Sequence, residues 1–380
     1  MPPIDLDQNA TTPLDPAVLE AMRPFWIAGG NPESRHALGR AARRGLDRAR
    51  ETVARILNAE PGEVVFTSGG TEANNLAVLG LAGQGPGHIV VSPIEHPAVA
   101  GPVARLESLG TTVTRPEVDS AGLADPDAFA RALRPDTTLA ALMLASNETG
   151  AIQPVARLAS FGIPVHTDAV QAVGRIPVDF HALGVTTLAA SAHKFHGPAG
   201  VGFLLIRRDA SLPPLLHGGG QERGLRPGTT PVALIVGLAA ALERWHADAE
   251  ARTARWRSLC DRLESALIAG LGPDRVVRNG PDAEESRLPQ TLNLGFPGLD
   301  GDALLMSLDL AGVSVSLGSA CASGATTASP TLLAMHVPDD RLRSSVRFSL
   351  GAFTNETEVD AAIGRVVEVV RRLGHDGIGP

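Results

Sequence analysis

Lysine is almost missing from this 380-residue chain: of 33 lysines and arginines, only Lys194 is a lysine. Arginine serves wherever a cation is enough, but its guanidinium stays protonated and cannot act as a neutral amine. The solitary lysine therefore marks either a place where an amine is needed or a surface cation that escaped a drift toward arginine. Cysteine is nearly absent as well. Cys260 and Cys321 are too few for a disulfide framework and too far apart for a CxxC metal or redox motif, so each is judged alone. No apolar run is long enough to span a bilayer, and the longest, about Val232 to Leu242, reads as a buried helix. Basic residues are scattered, and with a formal charge of −8 they leave no footprint for nucleic acid or an anionic membrane; small-molecule substrates fit better. The start Met1-Pro2-Pro3-Ile4-Asp5 shows no basic segment followed by an apolar core, so a cytoplasmic protein is expected.

What is present suits two domains. The length exceeds what one core usually serves, and a hydrophobic content of 44% can fill both. Between about residues 60 and 206 short apolar runs alternate with helical stretches: Glu63–Thr67, His88–Val91, Leu139–Leu144, Ile163–His166 and Val201–Ile206. That alternation predicts an α/β unit with a mostly parallel sheet flanked by helices. A helix over about 231–271 would lead into a small α+β unit containing Gln290–Leu294, Val313–Val315, Ser345–Ser349 and a closing helix near 356–373. The expected division is an N-terminal segment 1–15, a large domain 16–250 and a small domain 251–380. The stretch Gly218–Gly224 reads as one long loop, a kind of segment that is often functional.

In a parallel sheet ligands sit beyond the carboxyl ends of the strands, which directs attention to residues just after each run. Ser68-Gly69-Gly70-Thr71-Glu72 follows one run and precedes a helical stretch, so its backbone N–H groups suit a phosphate; the plain alternative is a turn with Thr71 as cap. Asp168 ends another run, where a carboxylate can keep a pyridine nitrogen protonated or simply cap a helix. His96 could stack on such a ring and move protons, although a lone histidine at a strand end is more often structural. Arg347 alternates with apolar residues and could clamp a carboxylate, or else face solvent. Cys321 lies in a run of small and polar residues where a thiol can ionise and attack, whereas Cys260 sits in a helical pattern and reads as packing. His193 and His196 have HxxH spacing with no third ligand nearby, so no metal site is expected. A lysine of lowered pKa at 194 could form a Schiff base with an aldehyde, which is how pyridoxal phosphate is held.

These pieces, in this order from Ile4-Asp5-Leu6-Asp7-Gln8-Asn9-Ala10-Thr11-Thr12-Pro13 to Gly351, resemble the NifS/IscS-type cysteine desulfurases of the class V aminotransferase group. The resemblance implies a fold-type I pyridoxal-phosphate transferase, with a mostly parallel seven-stranded sheet in its large domain. It also implies roles. Lys194 would carry the pyridoxal 5'-phosphate, and Gly70, Thr71, Ser191 and His193 would hold its phosphate. Asp168 would pair with the pyridine nitrogen, Gln171 with the ring hydroxyl, and His96 would stack on the ring. Thr229 would reach the phosphate of the neighbouring subunit, which implies a homodimer. Asn147 and Arg347 would hold the carboxylate of L-cysteine, and the freed Lys194 amine would shuttle protons. Cys321 would take the sulfur as a persulfide, leaving L-alanine, and pass it to an acceptor protein such as an iron–sulfur scaffold or a thiolation enzyme. The context of Cys321 resembles the long-loop group. Ser146 departs from the first Asn of the usual Asn-Asn-Glu, and Leu317 from a Ser before Gly318. A selenocysteine lyase, another class V enzyme or a non-catalytic cofactor-binding protein would share Lys194 and Asp168 without needing the Cys321 thiol.

Overall fold

The computed structural model describes residues 3–83, 85, 87–317 and 328–376, so Cys321 lies outside the described residues. Strand β1 (Ile4–Asp5) stands near the start of the chain. The next seven strands are β2 (Val64–Thr67), β3 (His88–Val91), β4 (Thr112–Thr114), β5 (Thr137–Ala141), β6 (Val165–Asp168), β7 (Thr187–Ser191) and β8 (Gly202–Ile206). They form one sheet in the order β2-β8-β7-β6-β5-β3-β4, in which β8 runs antiparallel to both neighbours and all other pairs are parallel. The five apolar runs expected from sequence correspond to β2, β3, β5, β6 and β8. Two strands carry no such run. β4 is a three-residue edge with partly exposed side chains, and β7 (Thr-Leu-Ala-Ala-Ser) has Leu188 as its one large apolar residue although it lies fully buried between β6 and β8.

The anticipated single helix over 231–271 is two, Val232–Ala247 and Ala249–Leu271. Asp248 leaves helical geometry (φ −136°, ψ 26°), and its side chain then pairs with Arg252 at 2.6 Å. Aspartate suits such a junction because its carboxylate is favourable beside the free N–H groups of a helix start. The first of the two helices packs against Pro16–Ala28 and Ala37–Ile56, and the second against the closing helix Glu356–Asp376.

Beyond them lies an antiparallel three-stranded sheet of β9 (Val277–Arg278), β10 (Thr291–Gly295) and β12 (Ser345–Ser349), in the order β12-β10-β9. Strand β11 (Val313–Ser314) does not join this sheet but pairs in parallel with β1. The chain start is thereby drawn across the molecule, and Asp7 continues it as a bridge to Ser349 at the end of β12. Residues 7–12 thus run past the carboxyl ends of β6 and β7. Among the described residues no helix is long and apolar enough to cross a membrane.

Candidate active site

The parallel strands end on one side of the sheet, and the turns that follow them meet there. β2 runs into Ser68-Gly69-Gly70, where the helix Gly70–Ala82 begins without a side-chain cap. The first N–H groups of that helix are left for another acceptor. Gly69 has φ +155°, and a Cβ on Gly70 would stand 2.7 Å from Val170 Cγ2. A Cβ on Gly202 of β8 would come within 2.8 Å of Gly69 Cα. Glycine is required at these points because two backbones and a helix start converge.

Nine of the sequence candidates line one cavity of about 270 Å³: Gly70, Thr71, His96, Asn147, Asp168, Gln171, Ser191, His193 and Lys194. Arg347 adjoins it, its Nη1 donating to Asn147 O at 3.0 Å. Thr229 is exposed and lies apart from this cavity. In the preceding glycine-rich stretch, the Glu222 carboxylate accepts from Phe66 N at 2.9 Å and pairs with Arg50 at 2.6 Å. The stretch 218–224 is therefore no free loop. Gln221–Gly224 make a short helical turn with Glu222 and Arg223 at positive φ.

Lys194 follows β7 in the turn Ala192–Lys194, and its Nζ donates to the carbonyls of Asn9 and Ala10, both at 2.7 Å. Burial pushes its amine down from 10.5 to about 8; Arg347 pushes the same way and Asp168 opposes. Asp168, buried at the end of β6, accepts from Val170 N at 2.9 Å and from Asn74 Nδ2 at 2.6 Å. Burial raises its carboxyl, while His96, these hydrogen bonds and Lys194 pull it back. Glu95, buried beside it, is raised to about 8 by burial and by the Asp168 charge. Glu95 therefore stays largely protonated near neutrality. His96 Nδ1 accepts from Ala98 N at 3.1 Å, which leaves the ring proton on Nε2, and burial lowers its pKa. His193 Nδ1 meets Thr11 Oγ1 at 3.0 Å, and burial lowers it to about 4. The other half of the HxxH pair is committed elsewhere. His196 Nδ1 donates to Pro13 O at 2.9 Å and its Nε2 accepts from Ala352 N at 2.9 Å, so neither nitrogen is free to ligate.

The residues fit a phosphorylated pyridine aldehyde. An uncapped helix start with glycines faces one end of the cavity, and a buried carboxylate and a near-neutral amine face the other positions. Gln171, whose Nε2 donates to Asn9 O at 3.0 Å, keeps Oε1 without a partner among the described residues.

The model of the class V aminotransferase family matches residues 4–362. The chain belongs to that family, in its cysteine desulfurase branch. It is 41% identical over 376 residues to the cysteine desulfurase IscS of Dictyoglomus turgidum, covering 97% of this chain and 94% of that one. It is 44% identical over 371 residues to an IscS-like cysteine desulfurase of Mycobacterium tuberculosis, covering 94% of each. Among solved structures, a NifS-like protein superposes with a TM-score of 0.90 at 35% identity, covering 98% of this chain and 100% of that chain. The fold is that of the NifS/IscS-type enzymes.

Both departures from the desulfurase pattern have local structural roles. Ser146 Oγ accepts from the N–H groups of Glu148 and Thr149, each at 3.2 Å, and so shapes the turn that presents Asn147. Leu317 is buried against the core. Three functional neighbours escaped the sequence reading. His166 Nε2 meets Asn74 Oδ1 at 2.9 Å, and Asn74 in turn holds Asp168. Asn9 donates to Asn147 O at 3.1 Å and to Thr291 Oγ1 at 2.9 Å. The available signals were periodic: His166 and Asp168 are two apart on a strand, and Asn74 lies one helical turn after Gly70.

Proposed function

We propose that this protein is a cysteine desulfurase that uses pyridoxal 5'-phosphate to take sulfur from L-cysteine and load it on Cys321. The observation that carries the reading is the convergence of Lys194, Asp168, Gln171 and the Gly70 helix start on one cavity, where burial also lowers the Lys194 amine. Gly70, Thr71, Ser191 and His193 would hold the phosphate, Asp168 the pyridine nitrogen and Gln171 the ring hydroxyl, with His96 against the ring. Bound there, the cofactor supplies a carbonyl carbon for an amine and an electron sink for a substrate carbanion.

The chain's own groups do the rest. Arg347 and Asn147 orient the substrate carboxylate. Lys194 Nζ, with a pKa of about 8, both accepts and returns a proton near neutral pH, which is the range in which a general base is most effective. The balance is L-cysteine plus the Cys321 thiol giving L-alanine plus the Cys321 persulfide. One C–S bond breaks with its electrons going to carbon, one S–S bond forms, and the proton lost from the Cys321 thiol is matched by one gained at Cβ. Residues 16–250 would form the cofactor-binding domain and 251–380 the domain bearing Cys321. Thr229 would serve the partner subunit of a homodimer, and a cytoplasmic acceptor protein would take the sulfur.

The test is an assay of L-alanine and sulfide from L-cysteine with the cofactor-loaded protein. The expected result is equimolar alanine and reducible sulfur, with release abolished in Cys321→Ala. Full sulfide release by Cys321→Ala without added thiol, or no alanine from the parent, would overturn the assignment.

A further inference from the structure

With Arg347 as the carboxylate clamp of the reading above, one contact stands out. Its Nη2 donates to Asp7 Oδ1 at 2.5 Å. A carboxylate bound to a guanidinium in the strong, bidentate manner needs two adjacent donors. Here Nη1 is on Asn147 O, Nη2 is on Asp7, and Nε is buried without a partner among the described residues. An arriving carboxylate must share Nη2 with Asp7 or displace it. The two members of the pair differ in access to water: the Arg347 side chain is 6% exposed and that of Asp7 is 28% exposed. Asp7 also sits on the segment whose next residues hold the Lys194 amine, so its carboxylate faces the same end of the site.

We infer that Asp7 is a displaceable stand-in for the substrate carboxylate, one that sets how tightly this enzyme binds its amino acid by competing for Arg347. In the resting protein it spares a buried guanidinium from lacking a counter-ion, a state that is strongly unfavourable. When an amino acid enters, two carboxylates face one guanidinium, and the one that reaches water gives way. Asp7 is a positioning residue here and takes no part in bond making. The competition also explains why a buried arginine with an unpartnered Nε carries an ion pair on its outer side.

The experiment compares Asp7→Asn and Asp7→Ala with the parent, all loaded with cofactor. Steady-state kinetics with L-cysteine are combined with calorimetric binding of L-alanine. Competition predicts a several-fold lower KM and a several-fold tighter L-alanine Kd in both variants, with kcat changed less than twofold. It also predicts that acetate inhibits the variants at several-fold lower concentration than the parent. A raised KM in Asp7→Ala with a parental KM in Asp7→Asn assigns Asp7 to orienting Arg347 and overturns the competition. So do unchanged constants in both. Arg347→Met separates the two levels: a raised KM there beside unmoved Asp7 variants removes the competition alone, whereas a parental KM removes the clamp and the competition together. Should Asp7→Ala fold poorly, Asp7→Ser carries the same prediction.

Discussion

Replacing Lys194 by methionine makes the cofactor-free protein more stable near neutral pH. The ammonium group is held in a site that lowers its pKa from 10.5 to about 8, by burial first and by Arg347 second. That displacement corresponds to about 3 kcal/mol of folding free energy set against the charged form. Methionine removes the charge at similar volume. It also removes two hydrogen bonds, but Asn9 O retains the one from Gln171, so Ala10 O is the carbonyl left without a donor, a loss of about 1 kcal/mol. The net expectation is a gain of about 2 kcal/mol at pH 7. The sign with pH follows from the proton count. Between about 8 and 10.5 the unfolded lysine binds a proton that the folded one has released, so parent stability rises with pH in that window and is flat below it as far as this group is concerned. The variant lacks this rise, and its advantage vanishes near pH 10. Urea unfolding of both proteins at pH 7 and pH 10 measures the difference, in which all other titrations cancel. A gap of equal size at both pH values, or a parent that is the more stable at pH 7, refutes the account of Lys194 as a near-neutral amine. The same property has a chemical side: at pH 7 about one amine in ten is neutral, against about one in three thousand at an ordinary lysine.

His166→Phe leaves Asn74 Oδ1 buried without its partner, at a cost of about 1–3 kcal/mol, and frees the amide that holds Asp168. Equilibrium dialysis should then show pyridoxal phosphate binding weakened about tenfold or more. Parental affinity would mean that Asp168 needs no such support. Gly202→Ala places a Cβ 2.5 Å from Ala190 O and 2.8 Å from Gly69 Cα. Overpacking of that kind costs about 1–3 kcal/mol, read as a lower melting temperature, and phosphate retention should fall with it because Gly69 opens the phosphate turn. A variant that melts and binds like the parent would show that the turn is looser than the backbone indicates.

Much of the site was legible because the residues that carry it follow strands, and ligand positions in a parallel sheet are fixed by topology. Asp168, His96 and the Gly70 turn could be placed on that basis alone, whereas Lys194 stood out as the chain's single lysine. Other parts were hidden for physical reasons. β7 is built of small residues around one leucine because it is walled in by neighbours on both sides, so it lacks the run of large apolar residues that announces a strand. The break at Asp248 interrupts a continuous helical pattern, and only the backbone shows that Asp248 there separates two helices. The pairing of β1 with β11 joins residues about three hundred apart, and no local pattern encodes it. That long-range pairing brings Asp7 and Asn9 to Arg347 and Asn147, which is why a segment rich in polar residues near the chain start gave no hint of its place in the site.

The central claim is a transfer from a cofactor-bound amino acid at Lys194 to the thiol of Cys321, and single-turnover peptide mapping tests it most directly. Protein loaded with pyridoxal phosphate is mixed with one equivalent of L-cysteine, quenched, and digested. A second portion is reduced with borohydride before digestion. The account predicts one added sulfur on the Cys321 peptide matched by one L-alanine, and the reduced cofactor on the Lys194 peptide. Alanine formed with no sulfur on Cys321, or a cofactor adduct that avoids the chain's one lysine, would contradict it.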